Sequence, residues 1–413
     1  MADRARDISV IVVGGSYAGA AAAKRLAALS QQGFTGLKVT LVDRSTHYFH
    51  AVGFPKALVD DKYAEKSFLP LAGFFAGSSK HEYINQGLAA VVDAHHVELD
   101  DGRRLYYDYL VLATGGKAPG PINVAGRTKE AGLAEIRALR QGLEGAESVL
   151  VIGGGPVGVE VAGFVAATYP AKRVTLVHSH GQLLPKQFRI GVSNGAVEKL
   201  TALGVRVVLN DRVEIPDDFE YAAHIGHRVL RGTRAGQEYA SDVQIPAVGF
   251  QVHSEYLAPL EAAVGRGALR TAGSGAIRVR PTLQLDADAL PHIFVPGDAN
   301  SLPGSTKFGF KAEMQGNTAA ANIRRLIESG FDVANKTGAE AAAASAPAVG
   351  AWTDYVDLIM LPVGPNRGVA QICKIALGSS AVADFLVRQI KTRDFMLGLR
   401  KGYYPRPEKR KTD

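Results

Sequence analysis

Apolar runs alternate with glycine clusters along the chain and divide its first part into short units. Ile8 to Val13 is an uninterrupted β-branched run, typical of a strand buried on both faces of a parallel sheet. A glycine-containing turn follows at residues 14–19, then an alanine-rich helix over Ala20 to Leu29 and a second strand over Lys38 to Val42. This strand–turn–helix–strand order predicts a dinucleotide-binding unit.

The same order recurs near the middle of the chain. Ser148 to Ile152 is predicted as a strand, residues 153–158 as the turn, Val159 to Ala167 as a helix, and Arg173 to Val177 as the second strand. Because each unit holds one nucleotide, two units predict two dinucleotide-binding domains.

Further apolar runs extend this pattern. The predicted strands and helices lie at Tyr109 to Ala113, Val243 to Ala247, Ile293 to Val295, Glu313 to Ser329 (helix), Val356 to Leu361, Val369 to Leu377 and Val382 to Lys391 (helix). We therefore expect an α/β fold with two Rossmann-like domains and a small C-terminal α+β region.

The domain boundaries are predicted from the segments that separate these strands and helices. We expect the first dinucleotide domain to be discontinuous, at 1–120 and 250–337, and the second to span 121–249. Residues 338–350 are rich in Ala, Gly, Ser and Pro and are typical of a linker. The C-terminal region then spans 351–413, and its basic tail, from Arg400 onward, is expected to be disordered.

Composition narrows the chemistry. The 413 residues are 46% hydrophobic and 21% charged, as in a soluble globular protein, and the net charge of +7 either favours anionic partners or reflects an unspecific basic surface. The single cysteine, Cys373, excludes an internal disulfide and a CxxC redox pair, and its apolar neighbours predict a core position. We predict no metal site.

No targeting segment is evident in the sequence. Residues 1–7 are charged, and Ala2 excludes N-myristoylation. The apolar stretch Ser148 to Tyr169 contains Glu160 and five glycines, so we interpret it as strand, loop and helix and expect no transmembrane helix. A cytoplasmic location is expected, with membrane association or a mitochondrial location as alternatives.

The second glycine turn matches the G-x-G-x-x-G pattern completely. Gly153 makes the turn, Gly155 lets a pyrophosphate approach, and Gly158 lets the helix pack on the strand, while Pro156 opens the helix. The N-terminus of that helix offers free N–H groups to phosphates. Gly249, after the strand Val243 to Ala247, is predicted to lie at the same nucleotide.

The first glycine turn departs from the pattern at one position. It consists of Gly14, Gly15, Ser16, Tyr17, Ala18 and Gly19, with serine where the second glycine is expected. Serine is small, so the pyrophosphate is still expected to fit. Asp43, at the end of the next strand, is suited to an adenosine ribose; a strand-end turn residue is the alternative.

The second unit has no acid at the position that corresponds to Asp43. His178 follows the strand instead, with Ser179 and His180. Without a carboxylate nothing repels a 2′-phosphate, so we expect the domain to accept NADPH as well as NADH. The alternative is that both histidines are solvated loop residues.

A third element suits FAD. Gly297 and Asp298 follow an apolar strand, and an aspartate there can accept hydrogen bonds from the ribityl hydroxyls. Thr114 and Gly115, after the strand Tyr109 to Ala113, are predicted to lie at the same cofactor.

Six segments in this order resemble one family: VVGGSYAG, VLATGG, VIGGGPVGVE, VTLVHS, FVPGDA and KTRDF. The chain resembles the ferroptosis-suppressor and apoptosis-inducing-factor-like flavoproteins, related to type II NADH dehydrogenases, over residues 8 to 395. The resemblance implies a glutathione-reductase-like fold, FAD, NADH or NADPH as co-substrate, and NAD(P)H:quinone oxidoreductase activity with peripheral membrane contact.

The resemblance also implies roles for individual residues. Lys56 and Ala89 join residues 14–18, Asp43 and Asp298 as FAD contacts. Glu160 corresponds to an acid beside the nicotinamide, with Lys56 as its expected partner, and Lys391 corresponds to a lysine near the flavin ring. The alternatives are a helix-dipole role for Glu160 and solvated surface positions for both lysines.

Two other functions remain open at this stage. One is a redox-controlled nucleic-acid-binding protein that uses the basic tail, although the chain shows no basic–aromatic stacking pattern beyond Tyr403 and Tyr404. The other is an NAD(P)H-dependent reductase of a small electron-transfer protein. The apolar stretch Trp352 to Leu361 is expected either to line acceptor access or to be plain core. Nothing in the sequence indicates the oligomeric state.

Overall fold

A parallel sheet forms from the first half of the chain and one late strand. The computed structural model describes residues 7–116, 124–216, 219, 223–234, 236–265, 267–302, 307–331, 349–354 and 358–404. Within them, five strands pair in parallel in the order β15-β9-β1-β2-β5. Their bounds are Ile8–Val13 (β1), Leu37–Asp43 (β2), Glu82–Asn85 (β5), Tyr109–Leu112 (β9) and Ile293–Phe294 (β15).

A second sheet forms from the middle of the chain. Its order is β12-β11-β10-β14-β13, and all its pairings are parallel except that of β13 with β14. The strands are Ser148–Ile152 (β10), Arg173–Val177 (β11), Arg206–Val208 (β12), His224–Arg231 (β13) and Glu238–Pro246 (β14). The predicted α/β fold with two Rossmann-like units is therefore confirmed.

Three small antiparallel sheets complete the strands that the structure describes. The first is a two-stranded pair of His47–Phe49 (β3) and Phe68–Pro70 (β4). The second is a three-stranded meander of Leu88–Val91 (β6), His96–Leu99 (β7) and Arg104–Tyr106 (β8). The third is a C-terminal meander of Ile359–Pro362 (β16), Gly368–Ile372 (β17) and Ile375–Gly378 (β18).

The helices cover the sheets. They are Tyr17–Ala27 (α1), Phe54–Ala57 (α2), Asp61–Lys66 (α3), Lys129–Gly145 (α4), Pro156–Thr168 (α5), Ile190–Ala202 (α6), Ala258–Val264 (α7), Gly309–Glu328 (α8), Ala381–Val387 (α9) and Leu397–Arg400 (α10). A π-helix, Arg388–Thr392, follows α9 directly. No helix of the described residues is both long and apolar enough to cross a bilayer.

Alanine and glycine allow the closest helix contact. The α1 side chains from Ala20 to Ala23 are buried, and α8 packs against them. A Cβ on Gly316 of α8 would lie 2.1 Å from the main-chain oxygen of Ala18. The two helices can therefore approach only because this position is glycine.

The C-terminal region differs from its prediction in two places. The strand predicted at Val369 to Leu377 is a hairpin, because Cys373 adopts a left-handed conformation (φ 52°) and reverses the chain. Cys373 is consequently exposed, so its predicted core position was wrong.

The tail is the second difference. Arg400 and Tyr404 are 8% and 5% exposed and pack against the fold, although Lys401 and Gly402 between them are exposed, so the predicted disorder from Arg400 onward was wrong as far as Tyr404. Residues 405–413, residues 117–123 and most of the predicted linker (338–348) lie outside the described residues, as do the first two residues of the predicted strand Val356 to Leu361.

Candidate functional site

The first glycine turn forms a cradle at the carboxyl end of β1. Gly14 has a φ of 99°, and a Cβ there would lie 2.4 Å from the main-chain oxygen of Ala113. A Cβ on Gly19 would lie 1.7 Å from the main-chain oxygen of Gly14, so α1 packs directly onto the turn. No side chain caps the N-terminus of α1, which leaves its first N–H groups for a bound anion.

The second glycine turn repeats this geometry contact by contact. Gly153 has a φ of 115°, and its Cβ would lie 2.5 Å from the main-chain oxygen of Ala247. A Cβ on Gly158 would lie 1.8 Å from the oxygen of Gly153, and the N-terminus of α5 is likewise uncapped, with Pro156 in its first turn. Two equivalent cradles are thus present.

The repetition explains why serine is accepted in the first cradle. Ser16 and Gly155 both occupy the N-cap position of their helices. A Cβ on Gly155 would meet no atom within 4 Å. A side chain at this position therefore meets no atom of the protein, and Ser16 leaves the turn undistorted.

Asp43 and His178 also occupy equivalent places. Gly15 donates its N–H to Oδ2 of Asp43 at 2.6 Å, and Gly154 donates its N–H to Nδ1 of His178 at 3.0 Å. An acceptor at Nδ1 requires that His178 is neutral, and burial lowers its pKa accordingly. His178 is therefore part of the second cradle, rather than a solvated loop residue.

Asp298 lines a cavity of about 310 Å³ beside the first cradle. Gly297 has a φ of 86° and donates its N–H to Oε1 of Gln315 at 2.7 Å, which fixes the turn that presents Asp298. Burial raises the pKa of the Asp298 carboxyl, and Lys307 opposes that shift. Among the described residues, none donates a hydrogen bond to this carboxylate.

A second cavity of about 390 Å³ lies on the other side of the first cradle. It is lined by residues that include Asp43, Thr114, Leu88 and Tyr256, and the hydroxyls of Thr114 and Tyr256 lie 2.8 Å apart. Ala89 is exposed beside this cavity, on β6.

Two further glycines lie beside the cradles. Gly115 (φ 63°) follows Thr114 after β9, and Gly249 (φ 78°) follows β14. Both therefore occupy carboxyl ends of parallel strands, where ligands of such sheets bind.

Glu160 and Lys391 form a buried ion pair. Nζ of Lys391 lies 2.6 Å from Oε1 of Glu160. The Lys391 side chain is 14% exposed and the Glu160 side chain 6%. Glu160 projects from the second turn of α5, close to the second cradle, and Lys391 comes from the π-helix. Burial raises the pKa of the Glu160 carboxyl, and the Lys391 ammonium opposes that shift.

Lys56 does not pair with Glu160, so the predicted partner was wrong. Its Nζ instead donates to the main-chain oxygens of Thr392 and Arg393, at 3.3 and 2.7 Å. Lys391 takes the place beside Glu160 because the C-terminal region folds back over α5. The predicted contact of Lys56 with FAD stays a prediction.

The first cradle and its two cavities fit FAD. Gly14 and Gly19 let the turn and α1 pack directly onto the strand end, the N-terminus of α1 is uncapped, and the partly buried Asp298 carboxylate accepts no hydrogen bond from the described residues. These are a phosphate site and a hydroxyl acceptor in the order that a dinucleotide requires.

Sequence reasoning missed Gln315, Tyr256 and Tyr404. Gln315 is 2% exposed and holds the turn of Gly297, while the hydroxyl of Tyr404 donates to the main-chain oxygen of Gly15 at 2.8 Å. Each lies on an element far along the chain from the motif that it supports, so no local pattern indicates it. For Gln315, the one available signal was a glutamine at helical spacing with the small apolar residues Ala312 and Ala319 of α8.

Comparison with known proteins agrees with this geometry. Residues 8–321 match the family described as pyridine nucleotide-disulphide oxidoreductase. Ferroptosis suppressor protein 1 of Homo sapiens is 30% identical over 399 residues, which cover 94% of each chain. The match confirms the predicted resemblance, and the family membership confirms the predicted cofactors, FAD and a nicotinamide dinucleotide.

Two solved structures share the fold. The sulfide:quinone oxidoreductase of Aquifex aeolicus has a TM-score of 0.69 at 18% identity, covering 97% of this chain and 93% of that chain. NDH2 of Plasmodium falciparum, in complex with NADH, has a TM-score of 0.68 at 13% identity, covering 97% and 99%. The chain therefore belongs to the pyridine nucleotide-disulphide oxidoreductase family, as an NAD(P)H oxidoreductase similar to the ferroptosis suppressor proteins.

Proposed function

We propose that the protein is an FAD-dependent NAD(P)H:quinone oxidoreductase. The observation that carries the proposal is the buried Glu160–Lys391 pair beside the second cradle, in a chain whose single cysteine is distant in sequence from both glycine turns. With one thiol, electrons cannot leave through an internal disulfide, so the acceptor must be reduced directly.

FAD is proposed to occupy the first cradle. Gly14 to Ala18 would hold its pyrophosphate, Asp43 its adenosine ribose, and Asp298 its ribityl hydroxyls. Asp43 has acceptor capacity left for a ribose, because each of its oxygens accepts one main-chain N–H, from Gly15 and Ser45, and retains another lone pair. When bound, FAD accepts a hydride from the nicotinamide and passes the electrons on.

The nicotinamide nucleotide is proposed to occupy the second cradle. Gly153, Gly155 and Pro156 would receive its pyrophosphate at the N-terminus of α5. Glu160 lies on the next turn of the same helix, so it would meet the nicotinamide end of a nucleotide that begins at the turn. Its carboxylate, fixed by Lys391, would orient the carboxamide, and the Lys391 ammonium would then lie on the nicotinamide side of the site.

Lys391 supplies the positive charge in this arrangement. An ammonium held in a dry site stabilises negative charge that develops nearby, whether on the cofactor or on a quinone oxygen. Two features support a quinone as acceptor: the similarity to the ferroptosis suppressor proteins, and the quinone in the name of one protein with the same fold. Contact with a membrane surface is part of this proposal, because lipid-soluble quinones reside there.

One spectroscopic experiment separates the two halves of the proposal. Purified protein should be yellow, bleach under anaerobic NADH or NADPH, and recolour when a short-chain ubiquinone is added. Bleaching without recolouring would contradict the quinone and leave a protein acceptor. A colourless protein that FAD cannot reconstitute would contradict the whole proposal.

The nucleic-acid alternative loses support among the described residues. Arg400, Tyr403 and Tyr404, which the sequence offered as a basic and aromatic tail, are packed against Glu313, Tyr17 and Tyr48. They are therefore unavailable for stacking on bases.

A further inference from the structure

The main chain that follows Lys391 is held by side chains from a distant segment. Four consecutive carbonyl oxygens, those of residues 392–395, accept hydrogen bonds from residues 50–63. Lys56 donates to the first two at 3.3 and 2.7 Å, the Tyr63 hydroxyl to that of Asp394 at 2.9 Å, and Nε2 of His50 to that of Phe395 at 2.8 Å. We call His50, Lys56 and Tyr63 the clasp.

The segment needs such donors because its backbone is irregular. The π-helix ends at Thr392, which leaves carbonyl groups without helical partners. Phe395 and Met396 then adopt left-handed conformations with φ of 51° and 63°, and neither is glycine. Such conformations are unfavourable for residues with a side chain and persist where the surroundings impose them.

His50 is itself fixed on both ring nitrogens. A carbonyl oxygen only accepts, so Nε2 carries the proton and Nδ1 is an acceptor with one lone pair. The hydroxyls of Tyr48 and Tyr17 lie 2.9 and 3.1 Å from Nδ1, and one of them donates to it. Burial lowers the pKa of His50 to about 4, which keeps this neutral form at physiological pH. The first-cradle residue Tyr17 is thereby linked to the turn behind Lys391.

Tyr63 reaches its carbonyl only because Gly53 lacks a side chain. A Cβ on Gly53 would lie 2.2 Å from the Tyr63 hydroxyl oxygen. His50 at the start of the 3-10 turn Ala51–Gly53, Lys56 on α2 and Tyr63 on α3 thus all reach the same stretch of main chain.

The segment 392–395, which the clasp holds, also contacts Lys391. Phe395 donates its N–H to the main-chain oxygen of Lys391 at 2.6 Å, and its ring lies 5.7 Å from the Lys391 ammonium. The same ring packs against Phe164, one turn beyond Glu160 on α5. The position of Phe395 thus sets where the ammonium meets the carboxylate.

We propose that the clasp positions Lys391 for its ion pair with Glu160, so that residues 50–63 act on the reaction through the C-terminal turn. Lys56 is then a positioning residue rather than a catalytic one. The inference rests on the proposed function only for the consequence in turnover; the geometry of Lys391 is independent of it.

The test measures the reactivity of the Lys391 amine in the FAD-loaded protein, by acetylation with an N-hydroxysuccinimide ester and peptide mass spectrometry. Lys56→Met should raise the labelling rate of Lys391 on the order of 10-fold, because one charged hydrogen-bond donor is lost. Lys56→Arg should restore slow labelling. Lys62→Met, at an exposed lysine on the neighbouring helix α3, is the control and should change nothing. Tyr63→Phe should give a smaller rise.

Turnover supplies the second readout. Lys56→Met should lower kcat more than it raises KM, and in a Lys391→Met background it should lower kcat no further, since both changes act through one ammonium. Unchanged labelling in Lys56→Met overturns the clasp. Raised labelling in Lys56→Met, with full activity in Lys391→Met, supports the clasp and contradicts the role of Lys391 in the proposed function.

Discussion

At the scale of single residues, burial of the Glu160 carboxylate is electrostatically unfavourable. A carboxylate whose side chain is 6% exposed is stable in its ionised form only with a partner, and Lys391 is that partner among the described residues. The pair is therefore a unit: removal of either member leaves the other charge buried.

Protonation should break this unit on the acid side. The pKa of Glu160 is raised, so the carboxylate is lost as the pH falls through a value above the usual 4.3 or so of glutamate. We expect kcat to decline with acid in the wild type. Glu160→Gln should abolish this decline of kcat at low pH, the acid limb of the pH profile. It should also destabilise the protein by about 3 kcal/mol, because the Lys391 ammonium remains buried without a partner.

Two measurements check the expectation: kcat against pH and denaturant unfolding. Glu160→Gln combined with Lys391→Met should recover most of the lost stability while turnover stays low. An identical acid limb in wild type and Glu160→Gln would assign the titration to another group.

His178 accepts a main-chain N–H of the second glycine turn, just as Asp43 accepts one of the first. His178→Asp should keep the acceptor for the Gly154 N–H and add a charge that repels a 2′-phosphate. The ratio of kcat/KM for NADH over NADPH should rise by about 10-fold, equivalent to 1.4 kcal/mol. His178→Asn, which adds no charge, is the control. A ratio that does not move in His178→Asp would place the 2′-phosphate elsewhere.

At the scale of elements, the C-terminal segment completes the first cradle. Tyr404 stacks on Tyr48 with ring centroids 4.6 Å apart and an angle of 3°, and its hydroxyl donates to the main-chain oxygen of Gly15. Arg400 pairs with Glu313 on α8. Tyr404 thus connects the C-terminal segment directly to the first glycine turn.

Loss of this support should loosen FAD. Tyr404→Ala should destabilise the protein by about 3 kcal/mol and weaken FAD retention, since a buried aromatic ring is replaced by a cavity. Tyr404→Phe should cost only about 1 kcal/mol, the value of one hydrogen bond. FAD release on dialysis, followed by flavin fluorescence, measures the effect. Leu399→Ala, at an exposed position of the same segment, should retain FAD as the wild type does.

The sequence predicted those parts of the fold that local patterns encode. Each cradle is a run of neighbouring residues, so Gly14, Asp43 and Gly153 were identified from spacing and β-branched strands alone. The Glu160–Lys391 contact joins residues 231 positions apart, and only the folded chain decides that Lys391, rather than Lys56, reaches the carboxylate. Cys373 was misplaced because an apolar run does not reveal where a hairpin turns.

At the scale of the whole molecule, an ion-pair network joins the two halves of the fold. Asp61 on α3 accepts from Arg137 and Arg140 on α4, and Glu65 accepts from Arg137. Helix α3 follows strands of the first sheet, whereas α4 precedes the second sheet. The arginines lower the pKa of Asp61 to about 2.

This network should contribute a small, acid-sensitive stability. Because the folded pKa is depressed, the contribution is present above the unfolded value of about 3.9 and is lost as the pH falls towards 2. Asp61 is 46% exposed, so solvent screening limits the effect of Asp61→Asn to about 1 kcal/mol at pH 7. Urea unfolding at pH 7 and pH 3, in low and high salt, measures it. A loss that salt leaves unchanged would indicate packing rather than charge.

The hairpin formed by β17 and β18 provides a single site for covalent labelling. Its turn carries the only thiol of the sequence on an exposed residue, in the same C-terminal region that supplies Lys391. A maleimide dye or a nitroxide can therefore be attached at Cys373 alone, without removal of other cysteines. Energy transfer from such a dye to the flavin would report how far the C-terminal hairpin moves during turnover.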